Sequence, residues 1–297
     1  MPHPRLIEPA KPFVIGLKPL EAELMLLVDE ELDTYRREKQ LLYQTEPGQV
    51  IAAEADTLDA QSEVLQLVTD NLKAHHGDLY EFDGQLAHVH STGETIDLSE
   101  NCPIAQAALL VQDDLVLMRR DDNGWRLVAA SLCFPSNWSL AEKFGKPMGE
   151  IHGPVPISDQ MHQRIHRIFD GLRVEIPVWR ANWSLEDSQK LRLDRTFDEK
   201  VHTIYNEPDQ AFLRTEYQTL HKLPVSHDIL FTIRIAVHPM GTLGKPPGGK
   251  QRMDELLTQF KQLSAAQRRY KGLAENGRKF ELWSRILEDM EHGRYIA

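Results

Sequence analysis

FLRTEYQTLHKLPVSHDILFTIRIAV, residues 212–237, decides the fold class of this chain. Two runs rich in Thr, Tyr, Phe and Ile suit a pleated surface, and Leu223-Pro224-Val225-Ser226-His227-Asp228 joins them. Strands are therefore expected at Phe212 to Leu220 and Ile229 to Val237. Alternation sets Arg214, Glu216 and Gln218 on one face of the first strand and Leu213, Thr215, Tyr217 and Thr219 on the other. On the second strand Ile229, Phe231, Ile233 and Ile235 form an apolar face, with Thr232 and Arg234 opposite. Charged side chains are rarely buried, so composition favours solvent for the Arg214–Gln218 face. A pocket lining is the alternative that the pattern leaves open.

Upstream, Leu115 to Arg119 and Trp125 to Ala129 flank Asp121-Asp122-Asn123-Gly124, an antiparallel hairpin signal. Ser139-Leu140-Ala141-Glu142 makes a capping box for a short helix that stops at Gly145. A longer helix, from about Ser158 to Leu172, carries the stripe Met161, Ile165, Ile168, Phe169 and Leu172. Near the N-terminus, Leu20, Leu24, Leu27, Val28, Leu32 and Tyr35 recur at helix spacing, and a second amphipathic helix from Leu58 to Leu72 ends near His76-Gly77. From about Lys250 the chain is helical again, after a glycine-rich loop at Gly241 to Gly249. The order predicts an α+β fold, an antiparallel sheet wrapped by N- and C-terminal helices. We expect a single domain over 1–297: a helical layer (1–80), a sheet core (81–240) and a helical C-terminal segment (241–297).

Hydrophobic residues make up 41% and charged residues 27% of the 297, a globular balance. The formal net charge of -11 argues against nucleic acid, whose phosphates need cations. No apolar run reaches membrane-spanning length. The opening MPHPRLIEPAKPF sets prolines where a secretion signal needs an apolar core, so a cytoplasmic protein is expected. Cys102 and Cys133 are too few for a disulfide framework or an iron–sulfur cluster and read as buried thiols.

Several positions offer chemistry. His152 precedes Gly153-Pro154-Val155-Pro156, where prolines stiffen the backbone and can hold an imidazole in one direction, as an axial ligand requires. A histidine hydrogen-bonded in a turn is the plainer alternative. His162 and His166 stand four apart on a helix but lack the glutamate of a zinc-protease motif, and His88-Val89-His90 is similarly weak. Phe134-Pro135-Ser136-Asn137-Trp138 and Trp179-Arg180-Ala181-Asn182-Trp183 mix aromatic and polar residues. Tryptophans normally pack cores, yet Lys143, Arg180 and Asn182 can face the carboxylates of a ligand. There is no GxGxxG, P-loop, GxSxG or multi-cysteine motif, and Gly244 to Gly249 has prolines where a P-loop needs amides. The chain thus shows no sign of holding its own nicotinamide, flavin or cluster.

FPSNWSLAEKFGKPMGEIHGPVP (134–156), VWRANWS (178–184), LRTEYQTLHKLPVSHDILFTIR (213–234) and YKGLAE (270–275) are similar to the haem-dependent oxidative N-demethylase family, in its α subunit. LKPLEAELMLLVDEELDTYRREKQLL (17–42) resembles that family's opening. The resemblance implies haem b held in a PAS-like sheet and helix fold. It implies oxidation of a small secondary amine with O2, releasing formaldehyde. NADPH would supply electrons through a flavin and iron–sulfur reductase on a partner subunit. It raises His152 to first choice for the haem ligand, Arg214 and Glu216 to distal-pocket residues, and Lys143, Arg180, Asn182 and Arg234 to cofactor contacts. The family strand reads like R-x-E-R-Q-T, and Tyr217 here replaces the second arginine, which leaves the exact amine open. Two rival readings stand beside this one. A haem-PAS gas sensor would carry a transmitter segment, and a metal hydrolase would use His162 and His166.

Overall fold

The computed structural model describes residues 3–7, 11–153, 155–156, 158–194, 212–243, 248–271, 273 and 278–292. Among the described residues ten strands run in chain order: β1 (Lys18–Pro19), β2 (Ile51–Ala53), β3 (Tyr80–Asp83), β4 (Leu86–Val89), β5 (Glu94–Asp97), β6 (Asp114–Asp121), β7 (Gly124–Ser131), β8 (Val178–Glu186), β9 (Phe212–Lys222) and β10 (Ile229–Pro239). They form a seven-stranded sheet ordered β1-β8-β9-β10-β6-β7-β2 and a three-stranded sheet β3-β4-β5. Every neighbouring pair is antiparallel. The α+β expectation holds.

Both expected hairpins are present. β9 and β10 pair from Phe212↔Pro239 to Lys222↔Ile229, and β6 and β7 close on Asp121↔Gly124. Gly124 takes φ 108°, a conformation that a Cβ would strain. Ser139 and Glu142 form the reciprocal capping box of the helix Leu140–Lys143. Ser158 caps the helix Asp159–Gly171. Leu58–His75 and Gly249–Lys261 are helical as expected. Of the glycine-rich loop before the latter, residues 244–247 lie outside the described residues, as does Pro154.

Three expectations are corrected. The helix sought from Leu20 begins only at Leu32 and runs to Thr45. Between them Ala22–Leu24 make one 3₁₀ turn, and the Asp29 carboxylate accepts the Glu31 amide at 3.0 Å, turning the chain. Leu20 and Leu27 are buried and Leu24 and Val28 half-buried all the same, which is why their spacing mimicked a helix. Val178–Glu186, expected only as an aromatic cluster, is a full strand between β1 and β9. The Arg214–Gln218 face, which composition alone favoured for solvent, is covered by residues from the 134–172 segment, and its Glu216 and Gln218 form a cavity wall.

Each face of the large sheet has its own core. The helices Leu58–His75 and Pro103–Leu110 and the small sheet cover one face, with Val64, Leu115, Leu117 and Leu230 between them. On the other face Val116, Met118, Leu127 and Ile233 meet Leu140, Met148 and Phe169. A third cluster packs Trp183, Leu185 and Leu213 under the C-terminal helices through Leu256, Phe260 and Trp283. Among the described residues no helix is long and apolar enough to cross a membrane.

Buried polar groups tie the layers together. Lys39, from the helix Leu32–Thr45, donates to the carbonyls of Ala108 (2.9 Å), Val111 (3.0 Å) and Asp113. This ends the helix Pro103–Leu110 on a cation, where its dipole favours one. His221 is buried with Nε2 3.1 Å from the Thr219 hydroxyl, which is 2.7 Å from that of Thr232. Burial pushes the His221 imidazole down to about 4. Between that value and the ordinary histidine value of about 6.5 the unfolded chain binds the proton and the folded one does not. The buried ring therefore costs no stability above that window and costs more as the pH falls through it. The stability of the protein relative to His221→Gln, from urea midpoints, should fall by about 2 kcal/mol between pH 7.5 and pH 4.5.

Candidate functional site

The strand register assembles the site. Across β8, β9, β10 and β6 one row reads Arg180↔Gln218↔Ile233↔Asp114, and the next reads Asn182↔Glu216↔Ile235. Directly opposed residues have Cβ atoms about 5 Å apart, so each row forms one contiguous strip. These strips line a cavity of about 290 Å³. Its other walls are Trp138, Lys143, Met148, Ile151, His152 and Val155, with Met161, Ile165, Ile168 and Phe169 from the helix Asp159–Gly171. Four residues of that helix's predicted stripe are the cavity wall; the fifth, Leu172, lies past the helix end and is not in the lining. A second cavity, of about 260 Å³, shares Ser136, Trp138, Lys143, Asn182, Glu216 and Tyr270 with the first. Both are near the small end of cofactor sites; the first is largely apolar with a few polar groups, and the second is lined mostly by polar and charged side chains.

His152 stands where the helix Met148–Ile151 ends. Its Nδ1 lies 3.0 Å from the Met148 carbonyl oxygen. A carbonyl can only accept, so Nδ1 carries the proton and Nε2 keeps its lone pair. Burial pushes the ring down to about 4, with the Met148 bond opposing and the Lys143 cation adding to the shift. It is neutral at pH 7, which is the state that ligates metals. A backbone partner on the distant nitrogen is the arrangement that orients ligating imidazoles.

Three cations face this apolar space. Arg180 is mostly buried, and among the described residues it has no hydrogen-bond or ion-pair partner; its Nε is shut off from solvent. Burial lowers its affinity for the proton, against the pull of Glu216. An unpaired buried guanidinium is costly, and an anionic ligand would remove the cost. Lys143 donates from Nζ to the Ile151 carbonyl at 2.8 Å and lies 4.9 Å from the centre of the Trp138 ring. That bond holds the backbone immediately before His152. Lys271 donates to the Trp183 carbonyl. Glu216 is the carboxylate common to both cavities, and Gln218 Nε2 donates to its Oε2 at 2.9 Å.

Five of the seven residues singled out from sequence meet here: Lys143, His152, Arg180, Asn182 and Glu216. Arg214 and Arg234 do not line the cavity. Arg214 belongs to the same strand face but is 1% exposed, and its guanidinium is committed to backbone. It donates to the carbonyls of Phe134 (2.9 Å), Leu191 (2.8 Å), Pro135 (3.2 Å) and Lys190 (3.2 Å) and to the Ser136 hydroxyl (2.9 Å). Expected among distal donors, Arg214 here spends its hydrogens on the loops that frame the cavity. Arg234 faces the opposite side of the sheet, level with Tyr217, and pairs with Asp29 at 3.1 Å. That position, for a residue expected to contact the cofactor, lies outside the cavity lining.

Other lining residues went unassigned in the sequence. Asp114 accepts the amides of Cys133 and Phe134, each at 2.8 Å, and burial raises its carboxyl to about 6. Gln218 was visible by alternation. Tyr270 and Lys271 carried no local signal beyond their place in YKGLAE. His88 and His90 bond to the Thr95 hydroxyl and the Asp78 carbonyl, as turn histidines do. Among the described residues no group of three His, Cys, Asp or Glu side chains is placed to hold a metal ion.

The Arg214 clasp has a thermodynamic signature. Arg214→Met should cost about 3–5 kcal/mol in urea unfolding, because several buried carbonyls lose their donor. An unchanged midpoint would return Arg214 to the group of residues free to act in the cavity.

Comparison with known families bears on the whole arrangement. The family model described as haem-dependent oxidative N-demethylase, alpha subunit-like, matches residues 16–280, which include every strand of the large sheet and every residue lining the cavity from Leu17 to Lys271. The chain belongs to the haem-dependent oxidative N-demethylase, alpha subunit-like family.

Proposed function

We propose that this chain, acting as one haem-binding unit over 1–297, carries haem b and oxidatively demethylates a small secondary amine of the dimethylamine kind. The carrying observation is His152, neutral and proton-fixed on Nδ1, beside an apolar cavity that also holds Arg180, which has no partner among the described residues. The chemistry of this donor set fits haem. A flat apolar ring needs walls such as Met148, Ile165 and Phe169, and its propionates need cations. His152 Nε2 would hold the iron, while Arg180, Lys143 and Asn182 would meet the propionates. The sheet order also supports a PAS-like core. Numbered among themselves in chain order, β6 to β10 lie 2-1-5-4-3, with the covering helices inserted between the second and third.

When bound, haem supplies an iron centre at which O2 is reduced and an N-methyl group is oxidised. The overall reaction is secondary amine plus O2 plus NADPH plus H⁺, giving primary amine, formaldehyde, NADP⁺ and water. NADPH would act through a flavin and an iron–sulfur cluster on a partner reductase in the cytoplasm. The residues of this chain bind and orient. Glu216, steadied by Gln218 on Oε2, leaves Oε1 to accept an N–H of the cationic amine and to take a proton when the neutral amine is needed. The Trp138 and Tyr270 rings line the same space. Apolar walls exclude water from the reacting methyl group.

The test is a haem spectrum and formaldehyde assay on the purified protein with a reductant and a panel of methylamines. His152→Ala should lose haem or shift its absorption strongly. Glu216→Gln should keep haem and lower kcat/KM for dimethylamine about 10–100-fold, the loss of a charge-assisted hydrogen bond of about 1.5–3 kcal/mol. Haem that binds O2 with no formaldehyde from any amine would leave a gas sensor as the better reading.

A further inference from the structure

Glu216 is where the proposed amine would be held, so the side chains beside it decide which amines fit. Two of them, Tyr270 and Lys271, border both cavities with Glu216 and come from the C-terminal part of the chain. Tyr270 is the last residue of the helix Ala265–Tyr270, whose start is fixed by a Ser264–Gln267 capping box. Burial first, and the nearby Glu216 charge second, push its hydroxyl up to about 12. The ring is thus neutral and near enough to Glu216 to feel its charge.

Tyr270 is also braced. The Phe13 ring meets it edge to face, with centroids 5.8 Å apart and planes at 72°. Lys271 Nζ lies 5.3 Å from the Phe13 centroid and 4.5 Å from that of Trp183, whose carbonyl it bonds. Phe13 itself sits at φ 57°, a left-handed conformation that a bulky residue adopts only when its surroundings impose it. Segments more than 250 positions apart therefore meet in one half-buried aromatic wall. An ammonium group on Glu216 would place its N-alkyl carbons against this wall. Methyl groups would gain cation–π attraction from the tyrosine ring, and longer chains would meet a ring backed by Phe13.

We infer that Tyr270, braced by Phe13 and Lys271, is a specificity-determining residue that limits the amine at Glu216 to short N-alkyl groups. This inference rests on the amine-demethylase reading above. The experiment uses the haem-loaded protein and two probes, dimethylamine and N-methylbutylamine. Calorimetric affinity and formaldehyde release are measured for the wild type, Tyr270→Ala, Tyr270→Trp and Phe13→Ala. The ratio of long to short amine affinity should rise about tenfold or more in Tyr270→Ala, since a methylene or two of pocket space commands that much discrimination. It should rise less in Phe13→Ala, which removes the brace and opens the cavity only where Phe13 itself borders it, and fall in Tyr270→Trp. If Tyr270→Ala fails to fold, the opposite shifts in Phe13→Ala and Tyr270→Trp decide. Ratios equal to wild type in variants with intact haem spectra overturn the inference alone. Amine binding with the expected ratios but no formaldehyde overturns the demethylase reading and leaves the wall standing. A wild type that binds neither amine overturns both.

Discussion

The buried guanidinium of Arg214 is the constraint on which the rest of the site depends. Its hydrogen bonds go to four backbone carbonyls and a serine hydroxyl, drawn from 134–136 and 190–191. Two irregular segments are thereby fastened across one end of the sheet, where no strand ladder can satisfy them. The same 133–136 stretch is gripped by Asp114, which takes the amides of Cys133 and Phe134. A cation below and an anion beside it leave this loop little freedom. Phe134, Pro135 and Ser136 can then serve as a rigid edge of the cavity.

Such a clasp also explains how charge survives on an inward sheet face. An isolated buried ion costs several kcal/mol, which good hydrogen-bond geometry must offset. Arg214 meets that demand with protein oxygens. Arg180, two rungs along on β8, has no such partners among the described residues. The contrast divides the polar strip into a part that builds the wall and a part kept for a ligand. Lys143 belongs partly to each, since it steadies the Ile151 carbonyl next to His152 while bordering the cavity.

Charge is distributed unevenly. The chain as a whole carries -11, yet Lys143, Arg180 and Lys271 outnumber the carboxylates Asp114 and Glu216 along the larger cavity. An acidic exterior raises the local concentration of cationic amines, whereas the interior suits an anionic cofactor. Glu216, shared by both cavities, is where these opposite preferences meet.

Much of this was legible in the residues themselves. Alternation in 212–237 determined two antiparallel strands and put Glu216 and Gln218 together, the Asn-Gly turn closed β6 on β7, and Ser139 and Glu142 marked a helix start. Periodicity is local, so it survives whatever packs around it. It could not reveal what covered the Arg214 face, because burial depends on the 134–172 segment folding back over the sheet. Nor could it separate Arg214, Arg180 and Arg234, three arginines with like prospects on paper. Register placed Arg180 on the cavity side without a partner, backbone carbonyls absorbed Arg214, and the parity of β10 turned Arg234 to Asp29. Residues 20–31 misled for a related reason: their leucines are buried at helix-like spacing, but the Asp29 side chain supplies the turn. Sequence alone determined the strands of the two hairpins, β6–β7 and β9–β10, the capped helices and the family resemblance. Only the tertiary structure decided which charged groups were already satisfied, since a hydrogen bond between residues 80 positions apart leaves no trace in either one's neighbours.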